Sequence, residues 1–232
     1  MSEHHSKEKD YGLILSDFIL GCQDGLVNVL GIVLGVAVGT QSTPIVLLAG
    51  LAATFAESIS MAAVGYTSKK TETDFYEKQK EIELREMRLI PKREKKEVEE
   101  IFRKKGFKGK DLKSLVRIIT SNKKAWLNIM MTEELNLTAV QAKNPLKSGA
   151  LIGVSAFIGS FVPLTPFFFL SIENAFTSSV IFSGIILFSL GAVKGKITQR
   201  NLIKSGLEIL LIAGLAAMAG YLVGAYFGLN GI

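Results

Sequence analysis

Two aspartates, Asp17 and Asp24, stand in the stretch SDFILGCQDGLVNVLGIVLGVAVGT (residues 16–40), which is otherwise apolar enough to sit in a bilayer. Read as a helix, Asp17, Gly21, Asp24, Asn28, Gly31 and Gly35 recur at steps of four and three and share one narrow face. A charged side chain at mid-helix costs roughly 3 kcal/mol to insert, so two carboxylates and an amide in one stripe call for a polar cavity or a specific partner. The glycines suit close helix packing, within one chain or between two. The next apolar stretch repeats the pattern with different chemistry: Gly50, Thr54, Glu57, Met61 and Gly65 are spaced four, three, four and four. A lone thioether is most often packing. Opposite Asp24, however, Glu57 and Met61 would make a mixed oxygen and sulfur donor set, suited to a transition metal rather than to Mg²⁺ or Ca²⁺.

A second group of donors lies in a polar region. In EIELREMRLIPKREKKEVEEIF, Glu83 and Glu86 precede Pro91, and Glu94 and Glu97 follow it. Proline breaks or redirects a helix, so the two pairs are placed to face each other across a helical hairpin. A solvated helix laced with ion pairs, such as Glu81 with Arg85, would give the same charge pattern. The stretch WLNIMMTEEL shifts the balance, because it sets Met130, Met131 and Glu134 together on an amphipathic helix otherwise built from Trp126, Leu127, Ile129 and Leu135.

The elements that must hold these residues follow from composition. The chain has 232 residues, 48% hydrophobic yet 21% charged. The charge is segregated: residues 67–147 carry 21 of the 27 Lys and Arg and 13 of the 21 Asp and Glu. The flanks hold five apolar stretches, 16–40, 44–66, 147–169, 176–193 and 202–227, each able or nearly able to cross ~30 Å of hydrocarbon at 1.5 Å per residue. The expected fold is all-α: a polytopic membrane protein with five transmembrane helices and a helical cytoplasmic metal-binding domain inserted between helices 2 and 3. The expected domains are 1–66, 67–146 and 147–232. The first span is too long and too late for a cleaved signal peptide. Pro163 and Pro166 are placed to end or kink the third span.

Basic residues crowd the polar middle and the link KGKITQR, whereas TQST is uncharged and the link after the third span has only Glu173. The N-terminus and the polar middle are therefore expected in the cytoplasm, with the C-terminus on the opposite side. The net charge of +6 is accounted for by this topology and by anionic lipid, with no nucleic-acid module in view. A single cysteine, Cys22, excludes an internal disulfide and any multi-cysteine metal centre.

The order and spacing of DFILGCQDGLVNVLGIVLG, AESISMAAVGYTSKKTETDFY, the glutamate-rich hairpin, NKKAWLNIMMTEEL and NPLKSGALIGVSAFIGSFVPLTPFF resemble the vacuolar iron transporter family over nearly the whole chain from Asp17 onward. The resemblance implies a membrane passage using the aspartate of the DG motif and the methionine of the SM motif, here Asp24 and Met61. It also implies a cytoplasmic metal site at Glu83, Glu86, Glu94, Glu97, Met130, Met131 and Glu134. A homodimer with the pathway between subunits, and exchange of Fe²⁺ for protons, are further implications. One position departs: plant members carry an acidic residue about two turns before the methionine, where this chain has Ala53, and its own Glu57 stands one turn before. Asp17, Glu57 and Asn28 are accordingly candidates for the pathway beside Asp24 and Met61.

The expected function is divalent transition-metal transport out of the cytoplasm, with Fe²⁺ the first candidate and Mn²⁺ the second. Metal is substrate, and no prosthetic group is expected. No phosphate-binding G-x-x-x-x-G-K-[ST] occurs, so uphill transport would draw on a gradient, and proton antiport is the expected coupling. Two alternatives differ in class. A carboxylate metalloenzyme would ordinarily use Glu-x-x-His pairs, but the only histidines are His4 and His5. A membrane-anchored metal sensor has no reason to bury ligands in the bilayer. The membrane would be the plasma membrane in a prokaryote and vacuole-like in a eukaryote.

Overall fold

The computed structural model describes residues 2–138 and 144–229, with side chains for 11–138 and 144–228; His4 and His5 therefore lie outside the described side chains. Every element among the described residues is helical. They form two compact units, one of residues up to Thr67 together with Leu146 onward, the other of Ser68–Pro145.

The first unit contains helices long and apolar enough to cross a membrane, five in the described chain. Helix α1 (Ser2–Thr40) and helix α2 (Thr43–Leu89) are joined by two residues, Gln41 and Ser42. Gln41 takes φ 51°, and the Thr40 hydroxyl donates to the Val36 carbonyl at 2.8 Å, so the chain reverses within a turn. The apolar part of α2 ends at Tyr66, and only this part is read as membrane-spanning. Further along the chain come α6 (Pro145–Leu164), α7 (Ile172–Ile197) and α8 (Leu202–Leu229). As the prolines foretold, α6 carries Pro163 in its last turn and passes into a short 3-10 helix, Thr165–Phe168, that contains Pro166. The Ser179 hydroxyl of α7 donates to the Pro163 carbonyl at 2.8 Å, tying that end down.

Helices α1 and α6 are the central pair: 56% of the apolar window of each is buried, against 17–22% for the other three. Their contact rests on small residues. A Cβ added to Gly21 or Gly25 would lie 2.2 Å from the Ile152 carbonyl oxygen or 2.3 Å from that of Ala156, and one on Gly159 would lie 2.1 Å from the Cys22 carbonyl oxygen. Further along, α1 packs on α8. A Cβ on Gly220 would meet the Gly31 carbonyl oxygen at 2.1 Å, and one on Gly224 would meet that of Gly35 at 2.0 Å. The glycine faces of the first and fifth spans are thus used against each other within one chain. The stripe that reads as a single face in sequence divides between two partners, because a straight helix crossing two neighbours meets each at a different level. Around these crossings, Val29, Val33, Ala37, Val46, Leu164, Phe167 and Ala175 form one apolar core, and Leu26, Leu187, Ile209 and Ala213 a second.

The second unit begins with the polar part of α2. The helix stops at Leu89 because the residue before a proline is driven out of the α region, and Ile90 sits at φ −130°, ψ 49°. Pro91 then opens α3 (Pro91–Lys104) at a position where its missing N–H costs nothing. Gly106, at φ +100°, closes α3 in the left-handed region that only glycine enters freely. Helix α4 (Gly109–Ser121) follows, then α5 (Lys123–Ile129), whose first turn is capped by Asn122 Oδ1 accepting from the Lys124 and Ala125 amides at 3.0 and 3.1 Å. Helix α5 widens into a π turn, Met130–Glu134, in which the Leu135 amide donates to the Met130 carbonyl at 3.1 Å. Met87, Val98, Trp126 and Met130 are the buried centre of this unit.

Candidate metal pathway and carboxylate cluster

In the apolar unit, the α1–α6 crossing fixes the backbone on both sides of Asp24, through Cys22 against Gly159 and Gly25 against Ala156 and Ser160. Asp24 is half-buried, and its carboxyl lies within side-chain hydrogen-bonding reach of Glu57 on α2. Asn28, one turn along α1, donates from Nδ2 to Asp24 Oδ2 at 3.4 Å. Two carboxyls and an amide from two helices therefore meet among apolar side chains. Helix α2 is set in turn by α6: the places where Cβ atoms of Gly149 and Gly153 would stand are within 3 Å of Ala62 and of the Ser58 carbonyl. Met61, beside this seam and one turn from Glu57, is half-buried; so is Asp17, two turns before Asp24. Ala53 packs on the apolar core of Val29, Val33 and Val46. The acidic residue of this chain is thus beside Asp24 from position 57, and position 53 belongs to packing.

The remaining members of the second-span stripe also pack. Thr54 is fully buried and its hydroxyl donates to the Gly50 carbonyl at 2.8 Å; Gly50 faces Leu164 and Gly65 faces Ile152. A hydroxyl satisfied on its own helix leaves nothing for a ligand.

In the polar unit, the two sides of the Pro91 break face each other. Glu83, near the end of α2, feels the charges of Glu134, Glu86 and Glu97, and Glu94 on α3 feels those of Glu97, Glu83, Glu86 and Glu134. Two members differ from the rest. Glu83 is 5% exposed and Glu94 is 1% exposed; Glu83 Oε2 and both carboxyl oxygens of Glu94 are buried with no hydrogen-bond partner. Desolvation, with the neighbouring carboxylates second, pushes both carboxyls up to about 7. Glu134 is raised by desolvation and by Glu97 and Glu86, and Arg93 opposes the rise. Four further glutamates of this unit follow the ion-pair pattern: Glu72 pairs with Lys69, Glu77 with Lys80, Glu99 with Arg103 and Glu133 with Lys105.

Met130 is fully buried against Met87, Val98 and Trp126, so its side chain serves the core of this unit. Met131 is also buried, beside Tyr76, Lys80 and Asn128. Among the described residues, no three histidine, cysteine or carboxylate side chains stand close enough to form a closed cage for an ion. The cluster is a collection of oxygen donors held near one another by charge-unfavourable packing, with thioethers on the adjoining helix. Sequence reasoning missed two parts of it. Arg93 faces the cluster, and its i,i+4 spacing from Glu97 was the available signal; the π turn at Met130–Glu134 has no signal in a run of good helix formers.

The model of the VIT family matches residues 15–225 of this chain. The chain belongs to the VIT family. It is 33% identical over 223 residues to a protein named vacuolar iron transporter 1 from rice, covering 95% of this chain and 88% of the rice protein. It is 32% identical over 222 residues to vacuolar iron transporter 1 of Arabidopsis thaliana, covering 95% and 89%. A vacuolar iron transporter from Plasmodium berghei is 35% identical over 241 residues, covering 99% of this chain and 86% of that one. These relatives are transporters, so membership sets aside the carboxylate-enzyme alternative. The chain is a multi-pass membrane protein of a family that transports metal.

Proposed function

We propose that the protein carries a divalent transition metal, Fe²⁺ with Mn²⁺ as a second substrate, out of the cytoplasm in exchange for protons. The observation that carries this reading is the meeting of Asp24 and Glu57 within an apolar helix bundle. Two carboxyls there have no counter-ion from Lys or Arg in their own helices' apolar stretches, 16–40 and 44–66. A dication or protons can supply the compensation, and the two compete for the same oxygens. Met61 adds a soft donor, and Asp17 and Asn28 extend the polar route along α1.

The unit of residues 68–145 lies in the cytoplasm on this reading, which the basic links support. Its Glu83, Glu86, Glu94, Glu97, Met130, Met131 and Glu134 collect metal and deliver it to the pathway. Two copies of the chain form the transporter and enclose the exposed Asn28 and half-buried Asp24, which lipid alone would leave unsolvated. Flux into sealed proteoliposomes tests the whole reading. A pH gradient, acid on the side opposite the 68–145 unit, should drive metal to the acid side, and metal flux should move protons the other way. Flux indifferent to the pH gradient with membrane potential clamped would leave a uniporter. No flux, with metal binding retained, would leave the membrane-anchored sensor.

A further inference from the structure

Among the described residues, Arg93 is the cation drawn into the carboxylate cluster. Its Nε donates to Glu97 Oε1 at 3.1 Å across one turn of α3. Its charge interacts with Glu97, Glu86 and Glu94, and it acts on Glu134 as well. The two partners are unequally placed: the Arg93 side chain is 73% exposed and that of Glu97 27% exposed. A guanidinium anchored on the rim by one carboxylate, with the rest of its length in water, can leave that carboxylate without unfolding anything. Arg103 with Glu99 makes an ion pair of the same i,i+4 spacing on the same helix, and neither residue is among the charges felt by Glu83, Glu94 or Glu134.

We infer that Arg93 is a tethered counter-ion that occupies Glu97 in the metal-free protein and is displaced when a divalent cation enters the cluster. This rests on the reading of the cluster as a metal site and adds a determinant of its affinity. The physical consequence is a built-in competitor. Metal must break the Arg93–Glu97 pair before it can use Glu97, and a positive charge beside the cluster lowers the attraction for every cation. The device sets a ceiling on affinity, which a collecting site needs if it is to hand its cargo on.

The test is Mn²⁺ binding to the full-length protein in detergent at pH 8, where the raised carboxyls are ionised, followed by calorimetry. Arg93→Gln should bind Mn²⁺ roughly two- to fivefold more tightly than the parent, the range set by the worth of an exposed ion pair. Arg93→Lys, which keeps the charge, should stay close to the parent. Arg103→Gln, which breaks the matched pair outside the cluster, should leave affinity unchanged. Unaltered Trp126 fluorescence in all three shows that the fold is kept. An affinity in Arg93→Gln equal to or weaker than the parent's would overturn the inference, and so would equal tightening in Arg103→Gln, which marks a bulk charge effect. Glu94→Gln separates the two levels: binding that depends on Glu94 but not on Arg93 defeats this inference alone, whereas binding indifferent to both defeats the metal-site reading with it.

Discussion

The protein holds acidic side chains away from water in two places and supports them differently. In the helix bundle, Asp24 has company: Glu57 lies within hydrogen-bonding reach and Asn28 donates to it at 3.4 Å. In the 68–145 unit, Glu94 is more deeply buried than Asp24, yet neither of its carboxyl oxygens has a partner. A buried polar group left unpaired ordinarily costs about 1–3 kcal/mol, and more when charged. The bundle carboxyl is therefore partly compensated by its polar neighbours, whereas Glu83 and Glu94 carry the cost of buried oxygens without a partner. On the proposed reading the first is suited to a passage that must be traversed in both loaded and unloaded states, and the second to a collector.

Removing the bundle carboxyl carries the largest expected effect. Asp24→Ala should cut Fe²⁺ flux in proteoliposomes by roughly 10–100-fold, a loss at least as large as that for a residue supporting a metal ligand. Metal binding to the 68–145 carboxylates in the same full-length protein should be unchanged. Met61→Ala should act in the same direction. Flux undiminished in both variants would remove the α1–α2 route from consideration.

The polar centre predicts an inverse relation between stability and binding. Glu83 and Glu94 are raised from 4.5 in the ordinary side chain to about 7 in the folded protein. A carboxyl raised on folding stabilises the fold while protonated, fully so below the unfolded value, and that contribution is lost as pH rises through the folded one. Metal-free protein should thus lose stability between about pH 4.5 and 7, by an amount on the order of a few kcal/mol. Glu94→Gln should be more stable than the parent at pH 8 and bind Mn²⁺ more weakly. Thermal unfolding watched through Trp126, with and without Mn²⁺, checks both signs. A variant destabilised at pH 8 would show that Glu94 is structural.

A third test separates the scaffold from the site. A Cβ on Gly159 would stand 2.1 Å from the Cys22 carbonyl oxygen, whereas one on Gly214 meets nothing within 4 Å. Gly159→Ala should destabilise the protein by about 1–3 kcal/mol, or force α1 off α6. Gly214→Ala, in a helix interior, should be stabilising by roughly 0.5–1 kcal/mol in helix propensity. Thermal inactivation of flux orders the two. Equal effects would show that the α1–α6 crossing is looser than its backbone contacts indicate.

These tests reach to features that differ in how far the sequence reveals them. The spans were legible because each carries its own hydropathy, and the break at Ile90 because Pro91 acts on its neighbour locally. The approach of Asp24 and Glu57 was legible only as two stripes on two helices. Which stripe members would pack instead, as Gly50 and Gly65 do, depends on α6, more than eighty residues away in the chain. The glycines of the first span advertised close contact but not with whom. Glu94 and Glu97 looked equivalent at i,i+3, and the folded unit makes one an orphaned interior acid and the other the partner of Arg93. That distinction comes from the helices packed over α3, which no local pattern encodes.

The smallest expected effect addresses Met130, a core residue for which a ligand role is proposed. Its side chain is fully buried with Met87, Val98 and Trp126, at the first residue of a π turn that alters the register expected of an α-helix. The turn shifts Glu134 relative to Met130, since its backbone hydrogen bonds run five residues apart rather than four. Met130→Leu conserves volume and apolarity, so unfolding should shift by less than about 1.5 kcal/mol. If the thioether also donates to metal, the same variant should weaken Mn²⁺ binding a few-fold and weaken binding of a softer metal such as Co²⁺ more, because only the sulfur is lost. Calorimetry with the two metals on the full-length protein reads the difference. Equal affinities of parent and variant for both metals would assign Met130 wholly to the core and leave the carboxylates as the collecting site.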